Sequence, residues 1–468
     1  MDLENVFSTE RKTVCIMGLG FVGSAMMLAV ASARDNARRP MYNVIGVDIP
    51  NEAGFSKASS INEGIFPFES NDLNLKAAMK EAHDTGNVFA CTDSAAYGQA
   101  DIIVVDINLD IQYNTEGMPH LDMEPFKQAM MILGAEIRED TLIVVESTVP
   151  PGTSEKIVSP ILRREMDKRG LDCSKVYIAH SYERVMPGEN YFDSIVNFWR
   201  VYSGIDEESA VRCEKFLKSV ISTDKYPLTR LGNTTATEIA KVLENSYRAT
   251  TIAFMEEWGR FAEEVGVDLF SVINAIRMRP THSNMRQPGF GVGGYCLTKD
   301  PYFAMLAAQD FFGLKGMDFP FSTLAVRTNN KMPLVSLDKI EKCVGDLSGC
   351  RMLVLGVSYR QDVGDTRYSP TEIFAREAER RGAKLEFSDP LVSFWPEMSR
   401  AVAQVIPDYH GYDVVVFCVQ HGSYQSIAFK ESMFDKGTLI FDANDVLSAE
   451  QRKDITQMIH VTLKCIGR

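Results

Sequence analysis

At 468 residues the chain is too long for one ordinary core, and two or three domains are expected. Its 45% hydrophobic and 24% charged content is that of a soluble globular protein. A net charge of −14 disfavours broad contact with nucleic acid, which needs a positive surface, but leaves room for a small anionic ligand in a local basic pocket. No apolar run reaches the length of a membrane span, and residues 1–12 are too polar for a signal peptide. A cytoplasmic protein without membrane attachment is expected. The cysteines, Cys15, Cys91, Cys173, Cys213, Cys296, Cys343, Cys350, Cys418 and Cys465, are odd in number, widely spaced and form no CxxC pair. That spacing suits neither a disulfide framework nor a structural zinc site, and no metal is expected.

Residues 13–19 read as a buried parallel strand. Gly18, Gly20 and Gly23 follow as GxGxxG, with Phe21 and Val22 between them, and open a small-residue helix over about 22–35. A second strand, 44–48, ends in Asp48. The glycines let backbone approach a pyrophosphate, and the helix N-terminus supplies positive potential. Asp48 suits the adenosine ribose hydroxyls and repels a 2′-phosphate, so NAD is expected rather than NADP. Residues 55–72 read as a polar, glycine- and proline-marked loop able to fold over a cofactor. Strands 101–105, 141–145 and 175–179 alternate with helices at about 122–139 and 153–169, the pattern of a doubly wound sheet. The strand at 141–145 runs into Glu146-Ser147-Thr148. Thr148 could bond a water or the nicotinamide's surroundings; the same residues also suit an ordinary helix start.

From Thr234 to about Gly266 there are no prolines and almost no glycines, which predicts one long helix suited to bridging domains or carrying a subunit interface. Glu238, Lys241, Asn245 and Arg248 share one of its faces. Lys241 and Asn245, one turn apart, could address one oxygen and stabilise an oxyanion. The same spacing also describes a solvated, salt-bridging face. Further helical segments are expected at about 268–278 and 300–329. Between them lies Pro288-Gly289-Phe290-Gly291-Val292-Gly293-Gly294-Tyr295-Cys296-Leu297-Thr298-Lys299-Asp300. Its glycines leave room for a bulky ligand beside a thiol, and Asp300 can manage a proton or water there. Strand patterns return at 350–356, 384–388, 413–419 and 438–442, with a helix at about 370–381. The expected plan is α/β, with two Rossmann-like doubly wound domains joined by an all-helical one. Its parts are an NAD domain (1–225), a central helical domain (226–332) and a nucleotide-sugar domain (333–468).

These motifs together resemble the UDP-glucose/GDP-mannose dehydrogenase family. The resemblance spans Gly18 to about Asp442. It rests on the glycine turn, Glu146-Ser147-Thr148 with Pro151-Gly152, Glu183-Arg184, Glu238-x-x-Lys241-x-x-x-Asn245, the Gly289–Asp300 loop and Asp365-x-Arg367-x-Ser369-Pro370. It implies a homodimer or higher homo-oligomer and a four-electron oxidation of C6 of a nucleotide sugar, feeding polysaccharide synthesis. In the implied roles, Asp300 assists proton removal through a water, and Cys296 forms a thiohemiacetal and then a thioester. Glu183 helps to activate the hydrolytic water, which Asp300 and Thr148 position. Lys241 and Asn245 stabilise the oxyanions. The implied substrate contacts are Glu183, Arg184, Lys241, Asn245, Gly293, Tyr359, Arg360 and Arg367.

The stretch Ser181–Gly188 resembles members acting on UDP-N-acetylhexosamines, although Tyr295 stands where those often have histidine. UDP-glucose and GDP-mannose remain alternatives. Arg360 replaces the usual lysine, and Asp106-Ile107-Asn108-Leu109 replaces the usual Pro-Thr-Pro. Arg279, His282 and Arg286 each could be the group that crosses to a partner's site. A two-electron hydroxy-acid dehydrogenase would need neither Cys296 nor a second nucleotide domain. A non-catalytic nucleotide sensor would have no use for Glu183, Lys241, Asn245, Cys296 and Asp300 together.

Overall fold

A computed structural model describes residue 7 and residues 11–115, 117–184, 188 and 190–468. The chain forms two compact units, Met1–Val242 with Phe303–Met317, and Leu243–Tyr302 with Asp318–Arg468.

The first unit is built on an eight-stranded sheet. Its strands are β1 (Lys12–Met17), β2 (Tyr42–Val47), β3 (Val88–Cys91), β4 (Ile102–Val105), β5 (Leu142–Val145), β6 (Tyr177–Tyr182), β7 (Val201–Gly204) and β8 (Thr229–Arg230), in the order β8-β7-β6-β5-β4-β1-β2-β3. Only the β6–β7 pairing is antiparallel. Strands β4 and β5 are buried at every position, which is why they are unbroken Ile/Leu/Val runs. Helix α1 (Phe21–Ala31) packs in the core from Gly23 onward, and its small residues permit close contact with the sheet.

The segment expected to be a loop at 55–72 is half helix. Helix α2 (Glu52–Asn62) starts at Asn51, whose side chain accepts the Gly54 N–H. Only Gly54, Ala58 and Ile61 of it are buried, so its apolar stripe is thin and its serines disguise it. Strands β3 (Val-Phe-Ala-Cys) and β7 (Val-Tyr-Ser-Gly) carry no sequence mark, because neither is an unbroken branched-aliphatic run like the equally short β4 and β5.

Helix α3 (Thr234–Glu264) begins in the first unit and continues in the second. The second unit holds α4 (Leu269–Arg277), the short α5 (Tyr295–Lys299) and α6 (Pro320–Val344). The helical run expected at 300–329 is divided: a turn at Asp300–Tyr302 leads to Phe303–Asp310, and Gly313, at φ +67°, lies before α6 starts. The second sheet is wholly parallel. Its strands β9 (Arg351–Leu355), β10 (Lys384–Ser388), β11 (Val414–Phe417), β12 (Leu439–Asp442) and β13 (Thr462–Cys465) run in the order β10-β9-β11-β12-β13. Helix α7 (Pro370–Arg380) is capped by Ser369. In chain order, two Rossmann-like sheets therefore flank a mostly helical stretch.

Candidate active site

The glycine turn leaves β1 and enters α1. Gly18 has φ +100°, and a Cβ there would lie 2.4 Å from the Asp106 carbonyl oxygen. A Cβ on Gly23 would lie 2.0 Å from the Gly18 oxygen, so neither position admits a side chain. Gly20 faces open space, caps α1 with no side chain, and no acidic residue stands in the first turn. Free first-turn N–H groups over an open glycine are what a pyrophosphate requires, and this cradle fits a dinucleotide. Asp48 lies past the end of β2. Its Oδ1 accepts the Ile49 N–H, and its Oδ2 takes Lys57 Nζ at 2.6 Å. Lys57 sits on α2 and was hidden by the reading of that segment as loop.

Beyond β5, Ser147 Oγ donates to the Ile107 carbonyl at 2.7 Å, and Thr148 is half-buried. The following turn is held from α3. Glu238 accepts the N–H groups of Gly152 at 2.5 Å and Ser154 at 2.8 Å. Burial pushes the Glu238 carboxyl up to about 7, against the pull of those donors. Lys241 Nζ donates to the Glu183 carbonyl at 2.8 Å, meets Glu183 Oε1 at 3.2 Å and lies over the Tyr182 ring. Arg184 donates to the Tyr182 hydroxyl at 3.1 Å. Glu238, Lys241 and Asn245 are all buried, so this helix face is not the solvated one. Residues 185–187 of the Ser181–Gly188 motif lie outside the described residues. Beneath Tyr182, His180 Nδ1 bonds Thr237 Oγ1 at 2.8 Å, and burial takes its imidazole down to about 3, so it stays neutral.

In the second unit the cysteine segment is fixed by two asparagines. Asn329, on α6, accepts the Val292 N–H at 2.7 Å and donates to the Val292 carbonyl at 2.8 Å, as a strand neighbour would. Asn444 Oδ1 accepts the Phe290 N–H. The glycines serve close packing. A Cβ on Gly293 would sit 2.4 Å from the Tyr368 oxygen, and one on Gly294 would sit 2.9 Å from the Tyr359 ring. No side chain larger than hydrogen fits at either position. Cys296 is exposed in the first turn of α5. Asp300 is fully buried; Asn245 Nδ2 donates to its Oδ2 at 2.7 Å and Lys299 Nζ to its Oδ1 at 3.0 Å. Lys241 and Asn245 thus each meet a carboxylate within their own unit.

The cysteine segment adjoins the loop after β9. Tyr295 packs edge-on to Tyr368, and the Arg367 guanidinium lies over the Tyr295 ring while forking onto Asp365. The Tyr359 N–H donates to the Asp365 carbonyl, and burial pushes the Tyr359 phenol up to about 12. Arg360 is half-buried. The base of this loop is pinned by Ser358, Asp389 and His421, which sit just past the ends of β9, β10 and β11. Ser358 Oγ is 3.0 Å from His421 Nε2 and donates to Asp389 Oδ2 at 3.1 Å. Both partners meet the same imidazole nitrogen in full burial, which makes this a brace and not a nucleophilic triad. Arg279 and Arg286 are exposed and His282 is half-buried.

Known families account for nearly the whole chain. The NAD-binding domain of the UDP-glucose/GDP-mannose dehydrogenase family matches residues 12–221, its central domain residues 235–331 and its UDP-binding domain residues 353–449. The chain belongs to the UDP-glucose/GDP-mannose dehydrogenase family. It is therefore an NAD-dependent nucleotide-sugar dehydrogenase, and the dinucleotide cradle has its cofactor. The UDP-N-acetyl-D-mannosamine dehydrogenase of Methanocaldococcus jannaschii is 27% identical over 446 residues, 94% of this chain and 93% of that one. The solved UDP-D-ManNAc dehydrogenase of Pyrococcus horikoshii shares the fold with a TM-score of 0.79 at 24% identity, over 97% of this chain and 99% of that one. A UDP-glucose dehydrogenase structure from Pyrobaculum islandicum shares it with a TM-score of 0.78 at 22% identity, over 98% of each chain.

Proposed function

We propose that this family member oxidises C6 of a UDP-N-acetylhexosamine to the carboxylate, with Cys296 as the covalent carrier. The observation that carries the reading is the exposed Cys296 on a segment pinned by Asn329 and Asn444, four residues before an Asp300 fixed by Asn245 and Lys299. The N-acetylmannosamine dehydrogenase relative supports the sugar class. Bound NAD⁺ supplies the hydride acceptor for each oxidation. Gly18, Gly20, Phe21, Val22 and Gly23 would hold its pyrophosphate, Asp48 its ribose, and Thr148 would lie by its nicotinamide.

Asp300 takes the alcohol proton through a water as the carbonyl forms. The Cys296 sulfur then adds to the aldehyde carbon, and the thiohemiacetal becomes a thioester when its carbon gives up a second hydride. Water, helped by Glu183, cleaves the C–S bond, releasing carboxylate and returning the thiol. Lys241 and Asn245 donate to the oxygen that carries charge at each stage. Arg184, Gly293, Tyr359, Arg360 and Arg367 contact the substrate, the two latter arginines offering forks for a diphosphate. Excess NAD⁺ with a limiting amount of UDP-N-acetylmannosamine, UDP-N-acetylglucosamine or UDP-N-acetylgalactosamine is expected to give two NADH per molecule of one of them. One NADH per molecule would instead mean a two-electron oxidation and reject the thioester route.

The same reading makes the protein a homodimer through α3. Leu243, Tyr247, Phe254, Trp258 and Phe261 recur at helical spacing and are all exposed, too large an apolar stripe for a face left to water. Sedimentation at falling concentration is expected to show a dimer; a monomer at micromolar protein would reject this interface. No helix among the described residues is long and apolar enough to cross a membrane.

A further inference from the structure

Asp106 sits below the dinucleotide cradle. Its N–H donates to the Met17 carbonyl at the end of β1, and its carbonyl oxygen occupies the space a Gly18 side chain would need. Its own Cβ lies 3.2 Å from where a Cβ of Gly23 would be. Strands β4 and β5 pair in parallel with Val105 beside Val145. The next residues, Asp106 and Glu146, therefore stand side by side on adjoining strand ends, with side chains toward the same face.

Glu146 is 2% exposed, and its Oε1 takes the buried Arg200 guanidinium. Two atoms then remain without a donor: Glu146 Oε2 and Asp106 Oδ2, both buried. Two adjoining carboxylates cannot both stay ionised against one arginine. A single proton between those two oxygens supplies the donor that both lack, and it leaves the Asp106–Glu146–Arg200 cluster neutral. Burial pushes the Asp106 carboxyl well above the usual carboxylate range; the charges of Glu146 and Glu183 add to that, and Arg200 opposes it. Cys213, buried beside Arg200 and Glu146, keeps its thiol neutral because burial pushes it well above the usual range. Arg200 also faces Met26 of α1, and Glu183 is engaged by Lys241.

We propose that Asp106 is a positioning residue for the dinucleotide, held as the neutral acid so that the floor of the Gly18–Gly23 turn carries no charge beneath the pyrophosphate. At higher pH the proton leaves to solvent, the cluster becomes anionic, and the cofactor's own phosphates oppose it. An aspartate can thus be tolerated here only while it keeps its proton.

The test is direct NADH binding, read by NADH fluorescence from about pH 6.5 to about pH 9.5, a range in which the cofactor's phosphates stay ionised. Wild-type affinity is expected to fall about tenfold toward the alkaline end. Asp106→Asn keeps a donor and cannot gain charge, so its affinity, normalised to its own neutral value, is expected to stay flat. The protonated-carboxyl stretch in infrared spectra is expected in the wild type and reduced in Asp106→Asn. A flat wild-type profile, or the same alkaline fall in the variant, would overturn the proposal. The inference rests on the glycine turn holding the dinucleotide. Absence of NADH binding at every pH would overturn that assignment and Asp106 with it, whereas binding without pH dependence overturns Asp106 alone.

Discussion

Cys296→Ser is expected to lower kcat by at least about 10³-fold and to abolish the acid product. A serine hydroxyl is a far weaker nucleophile than a thiolate near neutral pH, and nothing in the segment offers it a base of the kind hydrolytic serines use. The first oxidation needs no sulfur, so its NADH still forms. The second needs a carbon bearing both oxygen and a covalent anchor, and without it the NADH yield per sugar drops from two to at most one. NADH absorbance with product mass measured on the same sample separates the two steps. Cys343 is the control. It is also exposed, on α6, and no part of the proposed chemistry uses it. Cys343→Ser is expected to leave turnover unchanged, while alkylation of the wild type by iodoacetamide stops it. Two NADH per sugar from Cys296→Ser would end the thioester reading.

What the sequence disclosed follows from how local each signal is. Gly18, Gly20 and Gly23 fall within six residues, after a strand and before a helix, so their packing constraint is written in one window. The unbroken apolar runs of β4 and β5 are equally local, because burial on both faces leaves no polar positions. Helix α2 was missed for the opposite reason: only three of its residues are buried, and its serines look like loop. The polar contacts in the site are longer range. Glu146 meets Arg200 only because β7 turns antiparallel beside β6, and Ser358 meets His421 only through strand order in the second sheet. Neither pair has a sequence spacing that any motif would mark. The glycines around Cys296 show a third limit. Their density is visible in one window, but the tyrosines they pack against, Tyr359 and Tyr368, lie more than sixty residues later.

Asp300 separates structural from chemical work in this segment, because Asn245 and the Lys299 ammonium both donate to its carboxylate. Its side chain is 1% exposed and that of Lys299 is 11% exposed. Asp300→Leu takes away the carboxylate from a nearly buried charge, which costs about 3–5 kcal/mol. For a unit of this size that is a fall in melting temperature of about 10 °C. Activity is expected to fall as well, and the single variant cannot say why. The double variant Lys299→Met with Asp300→Leu removes both charges together, and replacing a buried pair by apolar groups of similar volume is commonly neutral or stabilising. It is expected to recover most of the melting temperature while Asn245 still lacks its acceptor. If Asp300 moves the alcohol proton, turnover stays at least about 10²-fold down in the recovered protein. If Asp300 only anchors Lys299, turnover returns with the fold. Melting temperature and kcat measured on the same three proteins therefore decide between a base and a brace, and the expected result is stability regained without activity.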